Sequence, residues 1–95
     1  MTYNVDKKNF NAYNSLAYLI CINKGKMNEA LEYAKKAVDS NKQNPAYLDT
    51  LGYVYLKMKK FEEAEKYLKI AIGFSPLSEE IRKHYEELKA FQEKK

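Results

Sequence analysis

The sequence predicts an all-α fold of five helices packed as antiparallel hairpins. Three observations carry this expectation. A 34-residue stretch recurs: laying residues 11–44 over 45–78 gives identities at Ala12/Ala46, Tyr13/Tyr47, Lys26/Lys60, Glu29/Glu63, Ala30/Ala64, Tyr33/Tyr67, Lys35/Lys69 and Ala37/Ala71. A repeat of this length is one supersecondary unit that cannot bury its apolar face alone and must stack on a neighbour. Apolar residues recur at helical spacing through the whole repeat. Glycine and proline are scarce, three and two in 95 residues, which favours long helices with the few breakers at turns.

The elements follow in order. Residues about 9–23 carry Leu16, Ala17, Ile20 and Cys21 on one helical face, and Gly25 breaks the chain. Residues 27–40 carry Ala30, Leu31, Ala34, Ala37 and Val38. The polar stretch 40–44 is a turn, and Pro45 suits a first helical position, where its missing N–H would be unpaired anyway. Residues 45–58 carry Leu48, Leu51, Val54 and Tyr55, and residues 61–73 carry Ala64, Leu68, Ala71 and Ile72. Gly73 and Pro76 flank the next stop. Ser78 is an N-cap for a last helix over 79–92, with Glu79 and Glu80 favourably placed against its dipole. One domain spans residues 1–95, with repeat one at 11–44, repeat two at 45–78 and a closing helix at 79–92.

Composition narrows the function. Hydrophobic residues make up 45% and charged residues 32%, as in a packed domain. No apolar run reaches the roughly 18 residues of a membrane-spanning helix. The first ten residues hold no apolar signal core, and the lone Cys21 cannot form an internal disulfide, so a reducing cytoplasm is the expected location. The net charge is +4 and uneven: residues 1–60 hold ten Lys against five acids. Lys24, Lys26, Lys57, Lys59 and Lys60 gather at the turns within the repeats. This rim could attract an acidic protein or nucleic acid, but lysines at helix C-termini are ordinary. Two repeats and a modest charge argue against nucleic acid as the partner. There is no nucleophile motif and no glycine-rich phosphate loop. No set of His, Cys and carboxylates stands at metal-ligand spacing along the chain. His84 falls on a polar stretch of the last helix and is expected at the surface, and Cys21 is expected in the core as a small hydrophobe. Neither catalysis nor a cofactor is expected.

The second repeat resembles the tetratricopeptide repeat. Leu48, Leu51, Gly52, Tyr55, Ala64, Leu68, Ala71 and Pro76 fall on that family's large–Leu–Gly–Tyr–Ala–large–Ala–Pro framework. Gly52 and Ala64 are small where two antiparallel helices cross closely, and Leu51, Tyr55 and Leu68 fill the gaps. In the first repeat Ala17, Gly25, Ala30 and Ala37 fit, while Asn14, Tyr18 and Lys42 depart from the pattern. The segment 79–92 is similar to the amphipathic helix that caps such arrays, with Ile81, Tyr85 and Leu88 on its inner stripe.

The resemblance implies a short right-handed solenoid that binds other protein in a concave groove. By matching positions, the groove would show Ala12, Ser15, Leu19, Ile22 and Asn23 from the first helix and Ala46, Asp49, Tyr53, Leu56 and Lys57 from the third. The closing helix would add Lys83 and Glu87. One variant of the family clamps C-terminal carboxylates with paired Asn and basic residues. Leu19 and Tyr53 stand where that Asn pair would be, so the resemblance implies apolar capture instead. The expected function is a non-catalytic adaptor for a peptide or helix. Alternatives are the C-terminal end of a longer scaffold, a self-associating module, and a basic nucleic-acid-binding repeat. The first hairpin has no cap before it, which predicts exposed Phe10, Tyr13, Leu31 and Tyr33 and pairing of two chains through them, unless residues 1–8 fold back.

Overall fold

A computed structural model describes residues 9–93. Five helices follow in order: α1 Phe10–Ile22, α2 Met27–Ser40, α3 Pro45–Lys57, α4 Phe61–Phe74 and α5 Glu79–Glu93. The described residues contain no strand, so the all-α expectation holds. Residues 1–8, where a fold-back was expected, lie outside the described part of the chain.

Local chemistry sets the helix ends. Asn9 Oδ1 accepts from the Ala12 N–H and starts α1. Asn44 Oδ1 accepts from the Ala46 and Tyr47 N–H groups, and Pro45 opens α3. Ser78 Oγ accepts from the Ile81 N–H at the head of α5. The two turns inside the hairpins share one construction. Lys24 N–H bonds Cys21 C=O while Gly25 N–H bonds Ile20 C=O. Lys59 and Lys60 repeat this on Leu56 and Tyr55. This is the Schellman arrangement, and it forces its pivot into the left-handed region. A lysine occupies that pivot both times, Lys24 at φ 56° and Lys59 at φ 64°. Gly25 is not the pivot. Its merit is space, since a Cβ there would stand 3.1 Å from Ile20 Cγ2.

The core is built from small residues at crossings and large ones between them. Ala17, Ala30, Ala34, Ala37, Ala64 and Ala71 are fully buried. Leu51, Val54, Leu56, Leu68 and Leu88 fill the remaining volume. Gly52 is needed for close approach: a Cβ there would stand 2.7 Å from Leu68 Cγ, where α3 crosses α4. α3 is the hub and touches each of the other four helices. It therefore buries residues on every side, including Asp49, Thr50 and Leu56.

Two expectations about exposure are corrected. Tyr13 is buried, stacked 5.6 Å from Tyr33 and flanked by Phe10 and Lys36. Phe10, Leu31 and Tyr33 are partly buried against the core. The aromatic rings of α1 and α2 cover one another, so the first hairpin presents no open apolar face of the expected kind. Among the described residues the exposed large apolar side chains are others: Leu19 and Ile22 at the C-terminal end of α1, then Ile70, Phe74, Leu77 and Phe91. His84 is the second correction. It is buried, because it stands on the same stripe of α5 as Ile81 and Leu88.

Candidate functional site

α1, α3 and the start of α5 enclose a cleft of about 500 Å³. The repeat brings the matching residues Ser15 and Asp49 to its walls, with Leu19 from α1 and Ala46 from α3 beside them. Glu80 and Ile81 of α5 close the far side. A second cleft of about 570 Å³ continues beside it, lined by Tyr18, Tyr53, Glu80, Lys83, His84 and Glu87. Ser15, Leu19, Asp49 and Tyr53 thus line two adjoining clefts that share Tyr18 and Glu80.

The remaining expected residues divide. Leu56 does not reach the groove; it is 2% exposed and belongs to the core. Its counterpart one repeat earlier, Ile22, is 49% exposed. Neighbours explain the difference: among the described residues α1 packs mainly on α2 and α3, whereas α3 packs on all four other helices. Asn23 is exposed at the end of α1 and lines a separate cleft between α1 and α2, with Leu16, Leu19 and Glu29. Lys57 is exposed, pairs with Glu87 at 2.8 Å and lies 5.0 Å over the Tyr53 ring. The hydrogen bond to Glu87 raises the Lys57 pKa, holding the charge firmly.

The centre of the region is a polar cluster that the sequence reading missed. His84 Nδ1 and Asp49 Oδ1 are 2.8 Å apart, both groups buried. The imidazole donates in this pair when its proton is on Nδ1, with the carboxylate oxygen accepting. The imidazole stacks on Tyr53 at 4.1 Å, and Tyr18 tilts against both rings. Tyr18, a departure from the family pattern, is therefore an aromatic wall of the site. Burial, reinforced by the Glu80 carboxylate, raises its phenol pKa. Asp49, Glu80 and His84 each offer a donor atom, and the three atoms lie within 4.8 Å of one another. Expecting no ligand set overlooked the Glu80/His84 spacing of one helical turn, the signal that could have found it. Asn14 Oδ1, in the wall of the first cleft, is buried without a hydrogen-bond partner among the described residues.

Cys21 is buried and free, and burial pushes its thiol up to about 11, against a smaller opposing effect of Lys57. It behaves as a small hydrophobe of the core, as expected.

Residues 22–88 match the family model described as tetratricopeptide repeat. The chain belongs to the tetratricopeptide repeat family. This tetratricopeptide repeat chain is also 34% identical over 65 residues to a TPR repeat-containing protein of Pseudomonas aeruginosa. The match covers 68% of the chain but only 11% of that relative's length. Tetratricopeptide repeats generally mediate protein–protein interactions, and their members are typically non-catalytic. No helix among the described residues is long and apolar enough to cross a membrane.

Proposed function

We propose that this tetratricopeptide repeat domain is a non-catalytic adaptor that holds a peptide or helix of a partner protein along the cleft between α1, α3 and α5. The observation that carries the reading is Leu19. It is 53% exposed and lines the clefts on both sides of α1. Ile22, one turn further, is exposed beside it. Large apolar side chains left in water at the lip of a concave surface lower the cost of binding, because their burial is favourable only once a partner arrives. Tyr53 adds an aromatic surface at the other end of the region. On the rim Lys57 is already paired with Glu87. Repeat boundaries near residues 44 and 78 and residence in a reducing compartment, which suits a free buried Cys21, belong to the same proposal.

The test is identification of a partner by affinity capture and mass spectrometry, followed by direct binding. Leu19→Glu should abolish binding of that partner, with helicity and melting temperature unchanged because the side chain already faces water. Equal binding by wild type and variant would remove the cleft from the mechanism.

A second reading is association of this domain with a further copy or a further repeat. Ile70 and Phe74 favour it. They stand one turn apart on the outer face of α4, 38% and 51% exposed, with Leu77 at 87% in the turn that follows.

A further inference from the structure

We propose that Asp49, Glu80 and His84 form a binding site for one borderline divalent transition cation of the Zn²⁺ type, which ties the closing helix α5 to α3. The inference is separate from the partner reading, because it concerns the purified chain alone.

The geometry is the first support. Donors about 2.0–2.2 Å from a common zinc-type ion stand roughly 3–3.5 Å apart at neighbouring positions. His84 Nδ1 and Asp49 Oδ1 are already 2.8 Å apart, so a small opening of this pair matches that spacing. All three donors lie within 4.8 Å, and Glu80 is the exposed member whose side chain is free to close the remaining gap. Glu80 stands one turn before His84, so both project from one face of α5. Asp49 comes from the opposite wall, on the helix packed most completely in the fold.

The state of the donors is the second support. The bond between His84 and Asp49 accounts for both of their burials without Glu80. Among the described residues Glu80 takes no hydrogen bond and no ion pair, although Lys83 lines the same cleft. Its carboxylate instead stands within 4.8 Å of the Asp49 and His84 donors, in a cleft walled by Tyr18 and Ile81.

The donor set chooses the ion. An imidazole nitrogen disfavours Ca²⁺ and Mg²⁺, which take oxygen ligands, and favours Zn²⁺, Co²⁺ or Ni²⁺. Two carboxylates and one neutral imidazole balance the +2 charge. The ion takes the place of the proton between Nδ1 and Oδ1; a neutral ring then carries its proton on Nε2, exchanged through solvent, and stays neutral with no net proton release. Tyr53 and Tyr18 hold the ring in place from its faces. Three protein ligands leave a coordination position open toward the cleft.

The test uses tag-free chain stripped with a chelator and titrated with Zn²⁺ by calorimetry and with Co²⁺ by visible absorption. We expect saturation at one ion per chain, Co²⁺ bands of a nitrogen–oxygen site, and a melting temperature that rises with free Zn²⁺. Glu80→Gln should weaken binding tenfold or more and erase the thermal shift, with unchanged helicity, because Glu80 is exposed. Asp49→Asn should weaken binding further. Absence of saturable one-to-one binding up to millimolar ion would overturn the proposal. So would wild-type affinity in Glu80→Gln, which would put the ion elsewhere, or equal competition by Mg²⁺.

Discussion

Lys59 shows how single residues carry strain in this fold. The Schellman turn after α3 needs a left-handed residue, and Lys59 supplies it at φ 64° with a Cβ that costs about 1–2 kcal/mol in that region. Glycine removes the clash but loses more freedom on folding, by about 0.5–1 kcal/mol. Lys59→Gly should therefore stabilise the domain by about 0.5–1 kcal/mol, a rise of a few degrees in melting temperature. Lys60→Gly is the control. Its φ is −93°, so glycine gains nothing there and should lower the melting temperature. A thermal melt of the two variants checks the sign, and equal shifts would reject the strain account. The same scale shows what a sequence conceals. Glycine in a turn reads as its pivot, yet Gly25 is present for space and its neighbour Lys24 makes the bend. His84 was placed at the surface because four of its neighbours are charged, although its spacing from Ile81 and Leu88 already put it on the inner stripe.

At the scale of elements, α5 is held by polar contacts as much as by its apolar stripe. Lys57 of α3 meets Glu87, and Lys89 meets Glu65 of α4 at 2.8 Å while Lys69 adds a third charge at 3.3 Å. Phe61 stacks on Phe91 at the far end. Hydrogen bonds from Lys89 and Lys69 hold the Glu65 carboxyl down to about 2, below its ordinary 4.5. A lowered carboxyl contributes stability that is full above the ordinary pKa and is lost as pH falls through the folded value. The docking of α5 should thus weaken between about pH 4.5 and pH 2. In Glu65→Gln that part of the acid dependence should flatten, and added salt should shrink the difference between wild type and variant, because the pair is solvent-screened. Melting temperatures across pH at two ionic strengths measure both effects. The five helices were legible from periodicity, turn residues and caps, since these signals are local. Contacts of α5 with α3 and α4 join residues 24 to 35 apart in sequence, and nothing local announces them. Counting along the repeat puts Ser15, Leu19 and Asp49 on the walls of a cleft, but it also puts Leu56 there, and Leu56 is buried. Counting assumes every repeat has the same neighbours, and α3 has more of them than α1.

The whole molecule decides how far its exposed apolar groups can drive association. Pairing through the first hairpin was expected from the sequence, but Tyr13 is buried and Phe10, Leu31 and Tyr33 are already packed. The open apolar groups on the outer side are Ile70, Phe74 and Leu77. Fully burying such a side chain is worth about 1.5–3 kcal/mol, and two of these three are already about half covered. On each chain the gain is then only a few kcal/mol. Association costs about 4–15 kcal/mol in lost rigid-body freedom before any side chain is ordered. The two quantities are of similar size, so a stable dimer is not expected and weak self-association is. Light scattering on a sizing column should give the monomer mass at low micromolar concentration, with a rising apparent mass only in the hundreds of micromolar. The double variant Ile70→Glu/Phe74→Glu should stay monomeric throughout, with an unchanged melt because both side chains face water. A constant dimer mass at low micromolar concentration would contradict this estimate. If the double variant kept that dimer, the interface would lie on another face, and the Leu19 and Ile22 surface would be the next to substitute.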